Sequence, residues 1–378
     1  MTPRIVAHCR AGFEAEAAAD LQGVAEAVET ALSVDAPAGR GFIVAAPQSF
    51  DAQRWPRALE RVPPMFIRSL FFGTGPHTLF DTTAKGRPNR VVPLVALIES
   101  LRKDLALPGA AHGMRGALHF GEMRLETADT NDGKEMSGLC RSIERPLADA
   151  LRERDILSIA NDDGRPDRLP ALHTLLPDGA HAYVGASLAP WGSRWPMGIP
   201  RLRMPHSAPS RSTLKLAEAL LTFLGDRDLD VLQGGMRAVD LGAAPGGWTW
   251  QLVQRGLRVT AVDNAALKGD IAADPLVTHI RADGLRFLPR KRVDWMVCDI
   301  VEQPSRIAAL VGRWIGEGHA RHTIFNLKLP MKKRYAEVRR CEGIISEALE
   351  QAHVRHTLRF VQLYHDREEI TGYCARVG

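Results

Sequence analysis

Residues 239–248 read Val-Asp-Leu-Gly-Ala-Ala-Pro-Gly-Gly-Trp. A short apolar run, residues 238–241, leads into the glycines, and a helical stretch, residues 248–255, follows. Glycine lets a backbone turn sharply and approach a ligand closely. A helix starting there presents free N–H groups to the crevice. Strand, glycine loop and helix open a doubly wound parallel sheet, which binds ligands at the carboxyl ends of its strands. The loop is not the dinucleotide pattern G-x-G-x-x-G, because Pro245 stands where that pattern leaves a free residue. Asp240 also places an acid near the mouth, which suits a pyrophosphate poorly. S-adenosyl-L-methionine, with its ammonium and sulfonium groups, fits such a loop, with Gly242, Ala244, Pro245, Gly246 and Gly247 around it.

Working outward, residues 259–262, 295–298 and 323–326 read as further strands. Residues 357–364 and 370–375 flank a polar turn, and strands joined so closely must be antiparallel. Asp263 ends a strand and can accept hydrogen bonds from ribose hydroxyls. Asp283 is placed to meet an adenine amino group. Either aspartate alone could be a helix cap; acids at successive strand ends favour the cofactor. Lys215 stands at a helix start, Asp299 and Lys328 end strands, and Glu369 opens the last one. Two close lysines disfavour each other's charge, so one can lose its proton and serve as a general base.

These residues carry a family resemblance. Lys215, Asp299, Lys328 and Glu369 resemble the K-D-K-E tetrad of ribose 2′-O-methyltransferases. The stretches SRSTLKL, AVDLGAAPGGWTWQLV, WMVCDIVEQP, IFNLKLPMKKRY and QLYHDREEIT resemble the RlmM family of bacterial large-subunit rRNA methyltransferases, densely from about residue 210 to 371. The resemblance implies methyl transfer from S-adenosyl-L-methionine to the ribose 2′-OH of one cytidine in 23S rRNA. It implies Lys328 as proton acceptor, and Ser212, residues 244–247, Asp263, Asp283 and Asp299 around the cofactor. The tetrad acid is Glu368 or Glu369; Glu369 directly precedes the strand and is preferred. The expected fold is a Rossmann-like class I methyltransferase domain, a parallel sheet with an antiparallel last strand, preceded by α+β ferredoxin-like and THUMP modules.

The boundaries follow composition. The chain has 378 residues, enough for two or three domains at roughly 150 residues each. Residues 1–65 read as a ferredoxin-like α+β module and 66–188 as a THUMP-like RNA-binding module. In this half residues 4–8, 41–46, 117–125 and 181–188 read as strands; 13–21, 51–61, 91–105 and 138–152 read as helices. Residues 189–209 form a linker with Pro190, Pro196, Pro200, Pro205 and Pro209 among Trp191, Trp195, Arg194, Arg201 and Arg203. Such a segment either stacks on single-stranded bases or straps its Trp side chains to a domain. Residues 210–378 form the methyltransferase domain.

The net charge of +5 is uneven: residues 191–378 carry a net +8 and residues 1–190 a net −3. The C-terminal half suits a polyanion, yet the expected RNA module is acidic. Either its basic residues cluster on one face, or RNA contact rests on the linker and catalytic domain. Lys332, Lys333 and Arg334 are expected in the first turn of a helix, where cations oppose the dipole and can grip phosphate.

Five scattered cysteines without a C-x-x-C pair fit a reducing compartment. The longest aliphatic run, residues 91–98, is far short of the roughly 18 residues that span a bilayer. A cytoplasmic monomer without membrane or metal partners is expected. An N-methylating [ND]-P-P-[YF] signature is absent after Asp299, and Cys298 should face away from the site, against cytosine C5 methylation. A methyltransferase acting on another RNA or on a base is the main alternative, and a nicotinamide oxidoreductase and a catalytically silent RNA-binding protein are the others.

Overall fold

A computed structural model describes residues 3–51, 53–83, 88–105, 118–158, 169–187 and 192–377. The chain divides into two compact units, Met1–Ile199 and Pro200–Gly378.

The first unit runs β1 (Arg4–Cys9), α1 (Glu14–Ala27), β2 (Leu32–Asp35), β3 (Phe42–Pro47), α2 (Arg54–Arg61), β4 (Ile67–Thr78), α3 (Val91–Asp104), β5 (Glu122–Glu126), α4 (Asn131–Glu135), α5 (Ser137–Glu153), β6 (Ala171–Leu175) and β7 (His181–Ser187). All seven strands share one sheet, ordered β2-β3-β1-β4-β7-β6-β5. The expected boundary between residues 65 and 66 therefore falls inside a continuous sheet. The joint is β4, whose first part pairs with β1 and whose second part pairs with β7. In α1, Ala17, Leu21 and Val24 recur at helical spacing and are buried. Asp20 of α1 accepts hydrogen bonds from the Met65 and Phe66 amides at 2.9 and 2.6 Å, tying the helix to the start of β4.

The expected linker is also divided between the units. Arg124 donates to the Ser193 carbonyl at 2.8 Å, and the Met197 amide donates to Glu126 at 2.5 Å. Residues 193–199 are thus a strap on the first unit. Pro190, Trp191 and the expected 188/189 boundary lie outside the described residues.

The second unit runs α6 (Thr213–Leu224), α7 (Asp228–Val231), β8 (Arg237–Leu241), α8 (Gly247–Val253), β9 (Arg258–Val262), β10 (Val277–Ile280), β11 (Val293–Cys298), α9 (Pro304–Gly316), β12 (Ala320–Lys328), α10 (Arg334–Gln351), β13 (His356–Val361) and β14 (Glu369–Arg376). The sheet order is β10-β9-β8-β11-β12-β14-β13. The pairs from β10 to β12 are parallel, and β14 lies antiparallel to both neighbours. The order reverses at β8, whose neighbours β9 and β11 carry the chain to opposite sides. Such a switch point opens a crevice at the strands' carboxyl ends. Leu216, Leu220 and Phe223 of α6 pack with Trp248 and Leu252 of α8 over Ala238, Ala261, Trp295 and Val297 of the sheet. No helix among the described residues is long and apolar enough to cross a membrane.

Candidate active site

Strands β8, β9, β11 and β12 end on one edge, so the residues just beyond them share one mouth. Lys328 closes β12 and stands opposite Glu369, the first residue of β14. Asp299 follows β11, the neighbour of β12. Lys215 reaches in from the first turn of α6. Lys328 Nζ lies 2.7 Å from Asp299 Oδ1 and 3.0 Å from Glu369 Oε1. Lys215 Nζ lies 2.5 Å from Glu369 Oε2 and 3.8 Å from Asp299 Oδ2. Each ammonium therefore bridges both acids. The four side chains keep 15–20% exposure, partly desolvated yet open to a reactant.

The electrostatics correct one expectation. Burial alone would favour a neutral Lys328, but Asp299 and Glu369 outweigh it and raise its pKa above the ordinary lysine value. Burial pushes Glu369 up, and Lys328 and Lys215 more than offset it, holding this acid below its usual range. Repulsion between the lysines thus does not leave Lys328 neutral, because Asp299 and Glu369 each lie within 3.8 Å of both lysine nitrogens. Lys328 is favoured as an ammonium and Glu369 as a carboxylate. Between the two candidate glutamates, the structure brings Glu369 to the lysines. Glu368 instead pairs with Arg334 at 2.9 Å.

Sequence reading missed the groups that hold this set. Asn326 donates to Asp299 at 3.0 Å and to Glu369 at 3.2 Å. Buried Glu218 of α6 accepts the Tyr364 and His365 amides at 2.8 and 2.9 Å and the His365 ring at 2.6 Å. It anchors the turn that delivers Glu369. A polar residue inside an apolar strand or on the apolar side of a helix was the available signal for both.

The glycine loop is built for close approach. Gly242 and Gly246 have φ of +78° and +114°, a region that favours glycine. A Cβ on Gly242 would press on Ile300, and one on Gly247 would collide with Ser212 and Ser210. Asp263 accepts the Ala244 amide at 3.0 Å and the Ala265 amide at 2.8 Å, so it shapes the loop while its carboxylate remains partly exposed. Asp283 is exposed and accepts the Leu285 amide at 2.9 Å. Asp240 departs from expectation. It is fully buried, not at the mouth, because its side chain turns under the loop to accept Thr249 Oγ1 at 2.6 Å. Burial pushes its carboxyl up to about 7. The fit to S-adenosyl-L-methionine rests on the close approach that Gly242, Gly246 and Gly247 permit and on Asp263, Asp283 and Asp299, three acids beyond successive strands.

Lys332 and Lys333 are exposed but precede α10, which begins at Arg334. Lys333 is the N-cap of α10 and takes a left-handed backbone conformation, φ +58°. Arg334 sits in the first turn and is engaged by Glu368. Arg194 is exposed in the first unit, and Arg201 and Arg203 are exposed in the second. In the first unit Arg141, Arg145 and Arg152 of α5 line a groove of about 650 Å³, interspersed with Glu122, Glu144 and Asp149. Basic residues do gather there, but acids accompany them. Cys298 is fully buried, and burial pushes its thiol up to about 12, which leaves it a poor nucleophile.

Comparison with known proteins covers nearly the whole chain. Residues 1–71 match the RlmM ferredoxin-like domain, 90–188 the ribosomal RNA large subunit methyltransferase M N-terminal region, and 208–325 the FtsJ-like methyltransferase. A ribosomal RNA large subunit methyltransferase M from Azoarcus sp. (strain BH72) is 44% identical over 371 residues, covering 98% of this chain and 95% of the relative. Its counterpart from Methylococcus capsulatus is 44% identical, covering 99% and 98%. That from Stutzerimonas stutzeri is 41% identical, covering 99% of both chains.

Proposed function

Because this chain belongs to the ribosomal RNA large subunit methyltransferase M family, we propose that it methylates the ribose 2′-OH of a specific cytidine in 23S rRNA. The carrying observation is the closed set of two lysines and two acids beside the glycine loop.

S-adenosyl-L-methionine, when bound, would supply an electrophilic methyl group whose leaving group is a neutral thioether. Ser212, Gly242, residues 244–247, Asp263, Asp283 and Asp299 are the residues to hold it. A ribose hydroxyl is a weak nucleophile until its proton is taken. Lys328 Nζ is the acceptor, in its neutral form. Asp299 and Glu369 oppose that form, and a second positive charge brought into the crevice favours it. Lys215, seated between the same carboxylates, keeps them aimed at Lys328. Much of the acceleration comes from orienting the hydroxyl in line with the methyl.

The exposed Lys332 and Lys333, with Arg201 and Arg203, bind phosphate, and Arg194 does so from the first unit. Residues 66–188 act as a THUMP-type RNA module. The partner is 23S rRNA, protein-free or in a precursor of the large subunit, and the protein works as a cytoplasmic monomer.

The test is transfer of labelled methyl from S-adenosyl-L-methionine to protein-free 23S rRNA, followed by nucleoside digestion. Label on a cytidine ribose is expected. Label on a base would overturn the ribose reading while keeping the cofactor. Cofactor binding with label only on ribosomal precursors would move the substrate to a particle.

A further inference from the structure

Behind the tetrad a single polar chain runs inward. Asn326, fully buried in β12, lies two residues before Lys328 and so shares its face. The register sets Asn326 opposite Thr371 as it sets Lys328 opposite Glu369. The Asn326 amide has two hydrogens, and Asp299 Oδ1 and Glu369 Oε2 each receive one. With its nitrogen so committed, its oxygen faces Thr371 Oγ1 at 2.8 Å. Thr371 Oγ1 also lies 3.0 and 3.2 Å from the two oxygens of Asp366, itself fully buried.

A hydroxyl carries one proton. When Thr371 gives it to Asn326, its oxygen meets Asp366 as an acceptor, and that contact needs a proton on Asp366. When Asp366 is ionised, its carboxylate draws the Thr371 proton. Two oxygens then face each other at the Asn326 contact with no hydrogen between them.

We propose that Asn326 is the positioning residue of the tetrad, and that Asp366, acting through Thr371, is its lock: neutral Asp366 holds Asn326 against both carboxylates, and ionised Asp366 releases it. The proposal rests on the methyl-transfer reading and names a regulator of that site. Burial pushes the Asp366 carboxyl up to about 7, against the Leu363 amide and Lys215, which favour its charge, and with Glu369, which opposes it. Asp299 and, through it, Lys328 stand further along the chain, and His365, next to Asp366 in sequence, pairs with Glu218 of α6. The lock therefore opens as pH rises through neutrality.

The decisive variant is Asp366→Asn, which keeps shape, can accept from Leu363 and donate to Thr371, and cannot ionise. Single-turnover methyl transfer is followed from pH 6 to 8.5 beside wild type. The variant-to-wild-type rate ratio is expected to rise about fivefold over that range, the worth of one neutral hydrogen bond. Thr371→Val should slow wild-type transfer near pH 6.5 by about the same factor with cofactor affinity unchanged, and Thr371→Ser should restore it. A ratio flat with pH, or a Thr371→Val enzyme as fast as wild type, overturns the lock. The Asn326 side-chain amide provides a readout that needs no substrate. In selectively ¹⁵N-labelled wild-type protein, assigned with Asn326→Ser, its resonance should titrate near neutrality and cease to do so in Asp366→Asn. An amide that does not titrate overturns the proposal even if 23S rRNA proves not to be the acceptor.

Discussion

In the first unit Ser187 Oγ lies 2.7 Å from His173 Nε2, and His173 Nδ1 lies 2.8 Å from Glu126 Oε2. In the second, Lys328 bridges Asp299 and Glu369 at 2.7 and 3.0 Å. The first cluster reproduces the bond order of a nucleophile, base and orienting acid. It is nevertheless sealed. All three side chains are at most 2% exposed, the His173 ring stacks on Phe71 at 4.8 Å, and the Met197 amide occupies the other Glu126 oxygen. His8 closes the remaining side at 3.5 Å from Glu126. The second cluster lies at strand ends beside a glycine loop. Bond geometry alone does not separate a structural cluster from a reactive one; access for a reactant does.

The comparison breaks most visibly in stability. Glu126→Ala removes the acid at the centre of the first cluster and should lower unfolding free energy by about 3–5 kcal/mol in denaturant titration. Burial raises the Glu126 carboxyl, but His173 and His8 hold it well below the usual range. Its stabilising contribution is therefore present above its ordinary pKa of 4.5 and is lost as pH falls below that. Ser187→Ala should cost about 1 kcal/mol and leave methyl transfer per folded molecule unchanged. A catalytic loss with folding intact would restore the cluster as a reactive site.

Glu369→Gln probes the open cluster. Removing one of the two acids that raise the Lys328 pKa should move the acid limb of the pH–rate profile down by about 1–3 units, whereas Glu368→Gln should leave it in place. Asp240→Asn tests the buried acid under the loop. The raised carboxyl loses stability as pH climbs from its ordinary 3.8 to about 7. The variant should therefore gain on wild type over that interval and level off above it, by about 1–3 kcal/mol in thermal melts at pH 8. The smallest effect belongs to Lys332→Ala and Lys333→Ala. Each should reduce the salt slope of rRNA binding by about 1 with kcat unchanged.

Much of the second unit was legible because its strands are short apolar runs that end in glycine or acid. The tetrad was legible because charged residues interrupt those runs at their ends. Strand β4 was not read, since Gly73, Gly75 and Pro76 look like a turn. The structure explains them: a Cβ on Gly73 would strike the backbone of Val184 and Gly185, so the glycines permit β4 and β7 to approach. Strand β6 was missed because His173 and Thr174 look like surface residues, yet both are fully buried. Residues 8, 126, 173 and 187 meet only through sheet order, which no local pattern reveals. Asn326, Thr371 and Asp366 all lay within stretches already singled out, but the link from Asn326 to Thr371 and on to Asp366 joins two stretches some 40 residues apart.

The central claim is that Lys328 takes the ribose proton. The direct measurement is single-turnover methyl transfer to 23S rRNA by Lys328→Ala, with S-adenosyl-L-methionine affinity measured on the same preparation. A rate lower by about 10²–10⁴-fold with cofactor affinity retained is the predicted result. Transfer within a few-fold of wild type would contradict it and give the proton to another group.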